Sequence, residues 1–278
     1  MTESAAAPAA PSAAPANQPF VGFVLLNRPG WDADDFIESF GRDWGVELEV
    51  LPEDPSNPES SQIFCATLPG VKAALFVTEM PINPASAGAY VEAARENYLW
   101  PEGREIVKTT ASRLVVTVTG EANRTTLAAL FVRAAATILD NESAIGFLDC
   151  DVVFDPVSYR DLALSARDRA LPTLNLFWVG LSRCGTGFGA WTSGLSRFGK
   201  PEMEVPLTSE HPGAIREFLM NVCAYVLEDD VTMKSGATIG YSEDQRLPLI
   251  RGKSSFFDDL EVLQIRFDAP GAAPVAQA

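Results

Sequence analysis

Residues Trp191–Val205 read Trp-Thr-Ser-Gly-Leu-Ser-Arg-Phe-Gly-Lys-Pro-Glu-Met-Glu-Val. No other stretch of the chain mixes aromatics, glycines, a proline and alternating charges so densely. The pattern predicts two short strands, Trp191–Arg197 and Met203–Leu207, joined at Phe198-Gly199-Lys200-Pro201. Upstream, Leu174–Leu181 is an apolar run that predicts a buried strand, and Arg183–Ala190 is a glycine-rich turn. Downstream, His211-Pro212 opens a strong helix through Leu227, with Ile215, Phe218, Leu219, Val222 and Val226 at helical spacing. Ala237–Tyr241 and Glu261–Phe267 predict further strands, with a polar loop, Ser242–Phe257, between them.

The first half of the chain repeats this mixture. Phe20–Leu26 predicts a buried strand broken by Asn27-Arg28-Pro29-Gly30. Asp32 caps a helix to Trp44 that Gly45 ends. Val46–Leu51 suits a half-exposed strand, and Pro52–Ser61 is a Pro- and Ser-rich loop. Ile63–Leu68 and Val71–Met80 form a hairpin at Pro69-Gly70, and Ala85–Asn97 is an alanine-rich helix. Ser112–Thr119 is a strand with Leu114, Val116 and Val118 on one face, and Asn123 caps an apolar helix to Asp140. Ala144–Phe154 is a strand region, followed after Pro156 by a weaker helix, Tyr159–Arg169.

Strands and helices alternate without a regular beta-alpha period. The expected class is therefore α+β: mixed, mostly antiparallel sheets with packed helices, and a loose echo of the same element order in two halves. One globular domain is expected over residues 19–268, with a split into 19–110 and 111–268 as the alternative. The Ala/Pro-rich ends, residues 1–18 and 269–278, cannot bury enough apolar surface to offset their ordering and are expected to be disordered.

Composition narrows the function classes. The 278 residues carry a formal net charge of −16, a pI near 4.4 and 47% hydrophobic residues. Such a charge repels phosphate backbones and anionic lipid, so neither nucleic acid nor a membrane is an expected partner; it suits solubility, or the surface of a basic protein. No run of about 18 uncharged apolar residues predicts a membrane span. Cys65, Cys150, Cys184 and Cys223 lie far apart with no Cys-x-x-Cys pair, which argues against zinc or thioredoxin-type chemistry. The start of the chain lacks the basic and continuous apolar stretches of a secretory signal, and the expected compartment is the cytoplasm.

Catalytic constellations are scarce. Gly185-Thr186-Gly187-Phe188-Gly189 places its third glycine one residue early for a dinucleotide loop and continues into a strand, so a β turn is the better account. Ser/His/Asp or Cys/His catalysis would have to use His211, the single histidine, whose position suits a surface or capping role. Asp149, Asp151 and Asp155 alternate along one stretch, as do Glu202 and Glu204. If each set shared a strand face it could bind a cation or act as an acid/base pair; the plainer alternative is a solvated face, or partners for Arg183 and Arg197. Trp178, Trp191 and Phe198 cluster around Arg197 in sequence. Aromatics with arginine anchor protein interfaces, whereas core packing is the expected role of Trp178; for Arg197 and Phe198 both readings stand. No catalytic, cofactor or metal residue is expected. The interaction residues named are Trp191, Arg197, Phe198, Glu202 and Glu204.

The Trp191–Val205 stretch, the long helix after it and Gly-Ala-Thr-Ile-Gly at 236–240 resemble the bacterial family known as domain of unknown function 4261. Met80-Pro81-Ile82-Asn83-Pro84, Leu99-Trp100-Pro101 and the Arg113–Gly120 strand fit that family's order, so the resemblance extends over Phe20–Phe267. The chain departs from the family at Thr109-Thr110-Ala111-Ser112, where histidines are usual. The Gly-Leu-Ser-Arg-Phe-Gly-x-Pro-Glu-x-Glu portion is similar, more distantly, to the Suppressor of Fused domain. That similarity implies an α+β protein-binding module with immunity-like bacterial relatives. The expected function is a non-enzymatic, acidic protein-binding module, immunity- or secretion-accessory-like, with another protein, of basic character, as its partner. The alternative is a carboxylate-based metal-binding protein or hydrolase.

Overall fold

The computed structural model describes residues 18–52 and 63–267. Apart from Gln18 and Pro52, the tails and the Pro52–Ser61 loop expected from composition lie outside the described residues. The chain divides into two compact units, one spanning Asn17–Leu176 and the other beginning at Phe177.

The first unit is built on β1 (Phe20–Leu26), β2 (Glu49–Val50), β3 (Ile63–Thr67), β4 (Ala73–Pro81), β5 (Ser112–Gly120), β6 (Ala144–Asp149) and β7 (Val152–Phe154). These form a seven-stranded sheet in the order β2-β3-β4-β5-β1-β6-β7, antiparallel at every pairing. The division considered at 110/111 falls inside this unit, because β5 is the sheet's central strand and pairs with β4 on one side and β1 on the other.

The helices are α1 (Ala33–Trp44), α2 (Pro84–Arg95), α3 (Gly103–Ile106), α4 (Arg124–Ile138) and α5 (Pro156–Ser165). Asn123 caps α4 by accepting from the Thr126 N–H at 2.8 Å. Most of α4 is buried, and its alanines let it lie close to the sheet. Phe131 of α4 stacks on Phe20 (5.7 Å) and meets Phe147 (5.9 Å), which in turn contacts Tyr159 of α5 (4.8 Å). Gly22 makes room for these rings, since a Cβ there would sit 2.7 Å from the Phe147 ring. Leu25 points to the opposite face of β1, where it packs with Val153, Tyr90 and Ala94 of α2, and Val107.

The second unit holds β8 (Trp178–Cys184), β9 (Gly187–Ser193), β10 (Met203–Thr208), α6 (Pro212–Glu228), β11 (Thr238–Gly240), β12 (Arg246–Lys253) and β13 (Glu261–Ile265). Its sheet runs β11-β12-β13-β10-β9-β8, with β10 and β13 parallel and the other pairs antiparallel. The fold is thus α+β, with six helices and two mostly antiparallel sheets among the described residues. The two units differ in strand order and in number of helices.

Several expected elements change. The strand expected over Leu174–Leu181 begins only at Trp178, after a 3-10 segment at Thr173–Asn175. The glycine-rich turn expected over Arg183–Ala190 is mostly strand, with β8 running to Cys184 and β9 starting at Gly187. The strand expected to run to Arg197 stops at Ser193, because Gly194 (φ +119°) turns the chain into a 3-10 turn over Leu195–Phe198. The polar loop expected over Ser242–Phe257 contains β12, whose Leu247 and Leu249 point inward and which pairs with β13 from Leu249 to Lys253.

Candidate functional site

The Trp191–Val205 stretch forms the polar interior of the second unit. After β9, Gly194 and Gly199 (φ +68°) adopt the left-handed backbone that glycine takes without strain, and between them the chain makes a 3-10 turn. That detour carries Glu202 back beneath the turn. Its Oε1 accepts from the Gly194 N–H (3.0 Å) and the Ser196 N–H (2.8 Å), and its Oε2 accepts from the Thr192 hydroxyl (2.7 Å). Thr192 Oγ1 in turn accepts from the Met203 N–H at 2.8 Å, which closes the loop onto β10.

Glu204 serves a different junction. It is 0% exposed, and its carboxylate accepts from the Ser254 hydroxyl (2.8 Å), the Ser255 N–H (3.0 Å) and hydroxyl (3.0 Å), and Gln264 Nε2 (2.9 Å). These donors come from the β12–β13 connection and from β13 itself. Every donor to Glu202 and Glu204 is neutral: a backbone N–H, a hydroxyl or a side-chain amide. Charge-assisted bonds of this kind are shorter and stronger than neutral ones, which is how two carboxylates can be held in an interior.

Lys200 is the third buried charge. Its Nζ donates to Asp230 Oδ1 (2.6 Å), to the Asp230 carbonyl (3.0 Å) and to Thr232 Oγ1 (3.1 Å), tying the stretch to the end of α6. That bond, and then the charge behind it, hold the Asp230 carboxyl below its ordinary range. On α6, burial first and the negative Glu202 second push the Cys223 thiol well above its ordinary range.

Trp191 is 9% exposed and lies between Phe256 (4.9 Å) and Phe257 (5.5 Å). The glycine-rich hairpin exists for this packing. A Cβ on Gly180 would sit 2.2 Å from the Trp191 ring, and one on Gly189 would sit 2.4 Å from Phe256.

Of the five residues expected at an interaction surface, Trp191, Glu202 and Glu204 are therefore buried, while Arg197 and Phe198 are half-buried in the 3-10 turn. The glutamates do not lie on a solvated face, and their acceptors are taken up without Arg183 or Arg197. Asp149, Asp151 and Asp155 do not share a strand face either. Asp149 ends β6, Cys150 and Asp151 make a hairpin turn with positive φ, and Asp155 caps α5 by accepting from the Ser158 N–H at 2.8 Å. These aspartates belong to the first unit and the glutamates to the second. Among the described residues, no group of three or more His, Cys, Asp or Glu converges as metal ligands would. His211 caps α6, its Nδ1 accepting from the Gly213 N–H at 3.1 Å. No helix among the described residues is long and apolar enough to cross a membrane.

The first unit presents a concavity that sequence reading missed. A groove of about 580 Å³ lies between α1 and the β2–β3–β4 edge, lined by Trp31, Asp34, Ile37, Val50, Leu51, Ile63, Phe64 and Glu79 among others. Trp31 meets Phe64 edge-on (5.5 Å) and Phe36 (5.8 Å). It also borders a second cleft, of about 540 Å³, lined by Asp32, Asp35, Glu38, Arg28 and Arg42. Both arginines of that cleft are ion-paired, Arg28 with Glu142 and Arg42 with Asp43 and Asp140. The apolar groove residues are scattered over four elements, so no periodicity in the sequence gathers them.

No curated protein and no solved structure matches this chain. The similarity found lies wholly within the second unit, and neither the Met80–Pro84 and Leu99–Pro101 segments nor the more distant likeness to Suppressor of Fused is supported by it. Residues 191–266, from the Trp191 stretch through β13, match the family described as Domain of unknown function (DUF4261).

Proposed function

We propose that this chain is a non-enzymatic binding protein whose partner is another protein with a basic surface. The observation that carries the reading is the disposition of the carboxylates. The motif pair that would have served catalysis or a cation, Glu202 and Glu204, is enclosed and held by neutral donors on both oxygens of each carboxylate, and it works as internal bracing. A metal or acid/base role would require those bonds to be given up in an interior, at a cost of about 1–3 kcal/mol for each donor left unmet. What remains for the outside is a molecule of formal net charge −16 with an acid-bordered concavity on its first unit. A field of that sign steers basic proteins in and turns phosphate backbones and anionic lipid away.

An antidote to a basic toxin and an accessory of a secretion system both fit this chemistry, and so does residence in the cytoplasm, where four free thiols persist reduced. The test is capture on the immobilised chain at low and moderate salt, followed by titration calorimetry with each purified candidate. A basic partner bound stoichiometrically, with affinity that falls as salt rises, is the expected result. Recovery of none at either salt concentration would overturn the reading.

A further inference from the structure

We propose that the groove beside Trp31 is where a basic amphipathic segment of the partner docks: large apolar side chains enter the groove, and flanking lysines or arginines meet the acids around it. This rests on the binding-protein reading above and names the site and the chemistry of the occupant.

The groove is apolar in its body and acidic at its border. Val50, Leu51 and Ile63 are 47%, 40% and 41% exposed, and Trp31, Ile37 and Phe64 line it as partly buried neighbours. Three large aliphatic side chains left this open in one concavity mark a contact surface more than a core edge. The volume is that of sites that take a few side chains or a small ligand. Asp34 lies in its lining, and Asp35 and Glu38 lie in the adjoining cleft across Trp31. The ion pairs of the described residues do not involve Asp34, Asp35 or Glu38, so their charges are available to a cation.

Charge complementarity decides between occupants. The segment that joins the groove's two edges, residues 53–62, reads Glu-Asp-Pro-Ser-Asn-Pro-Glu-Ser-Ser-Gln. It has no lysine, no arginine and no large apolar side chain. Residues 1–17 and 268–278 likewise contain no lysine or arginine. None of these segments brings a lysine or arginine side chain to the acids around Trp31. A second copy of the chain would bring its own formal net charge of −16 against this one. The occupant that satisfies both the apolar body and the acidic border is a foreign segment carrying apolar residues on one face and bases beside them, the helix-in-groove mode of recognition.

The experiment uses the full chain and three fluorescein-labelled 16-residue peptides: an amphipathic Leu/Lys helix, an all-Lys peptide and a Leu/Glu helix. Fluorescence anisotropy gives affinities, and hydrogen exchange locates the contact. The Leu/Lys peptide is expected to bind at least about tenfold more tightly than either control, a difference of about 1.4 kcal/mol. It should slow exchange at residues 31–37, 49–51 and 63–65. Leu51→Ser with Ile63→Ser changes two exposed side chains, leaves the core untouched, and should weaken the Leu/Lys peptide about tenfold while leaving the all-Lys peptide unchanged. Asp34→Asn with Glu38→Gln should weaken both lysine peptides and flatten their salt dependence.

If the double serine variant binds the Leu/Lys peptide as well as the parent does, the groove is not the site, yet a salt-dependent affinity would leave the binding-protein reading standing. If the peptide binds only after residues 53–62 are replaced by a Gly/Ser linker, the chain closes its own groove and the proposal fails. If no lysine peptide binds at low salt, the proposal fails, while the binding-protein reading is decided by the capture experiment.

Discussion

Glu202 shows how a single buried carboxylate can fix a turn. Glu202→Ala leaves the Gly194 and Ser196 N–H groups and the Thr192 hydroxyl without their acceptor. The expected loss is about 3 kcal/mol, read from urea midpoints, with Glu202→Gln losing less because one oxygen and the volume are kept. Asp230 carries the pH dependence of the same region. Its carboxyl is held below the ordinary range by Lys200 in the folded chain and released from that pull in the unfolded one. Its stabilising contribution is therefore complete above the ordinary carboxylate range and is lost as pH falls through the lower folded value. Asp230→Asn should flatten that acid limb in a series of midpoints from about pH 7 to about pH 3. The Cys223 thiol is shifted the other way, so its effect appears as stability lost when pH climbs past the ordinary thiol range. In native protein near neutral pH it should resist thiol reagents and become reactive only on unfolding.

At the scale of elements, short polar signals and close packing do the specifying. α5 starts where Asp155 accepts from both the N–H and the hydroxyl of Ser158 (2.8 and 2.6 Å). Asp155→Ala should cost about 1 kcal/mol in a denaturant titration, the usual effect of a lost cap. The β8–β9 hairpin instead depends on the absence of side chains. Gly180→Ala would press a methyl group into the Trp191 ring, and a destabilisation of about 1–3 kcal/mol is expected, with a shift in tryptophan emission as the ring is displaced. β12 illustrates the limit of pattern reading. Leu247 and Leu249 are fully buried, but Arg246, Pro248, Arg251 and Lys253 around them make the segment look like a loop until β13 pairs with it.

For the whole molecule, the division after Leu176 gives each unit its own sheet and its own buried cluster. The loss caused by Glu202→Ala should therefore concentrate in the second unit. Hydrogen exchange is expected to quicken over residues 177–267 while β1, β4 and β5 keep their protection. Uniform acceleration through both sheets would show that the two unfold together.

Much of this was legible in the chain. The caps at Asp32, Asn123 and His211, the alternation in β5 and the mixed, mostly antiparallel class follow from local chemistry, because a cap or a strand face is written in neighbouring residues. The roles of Glu202, Glu204 and Trp191 were not legible. The partners of Glu204 and Trp191 include Ser254, Ser255, Phe256 and Gln264, some fifty or more positions further along. The donors to Glu202 lie six to ten positions away, but alternation alone cannot tell a carboxylate facing water from one facing donors. The groove beside Trp31 was equally hidden, since Ile37, Val50, Leu51 and Ile63 become neighbours only when α1 packs over the β2–β3 edge. Sequence settled the α+β class and most of the elements; the tertiary structure decided where β9 stops, that β12 is a strand, and which side chains face inward, because those depend on contacts between residues far apart in the chain.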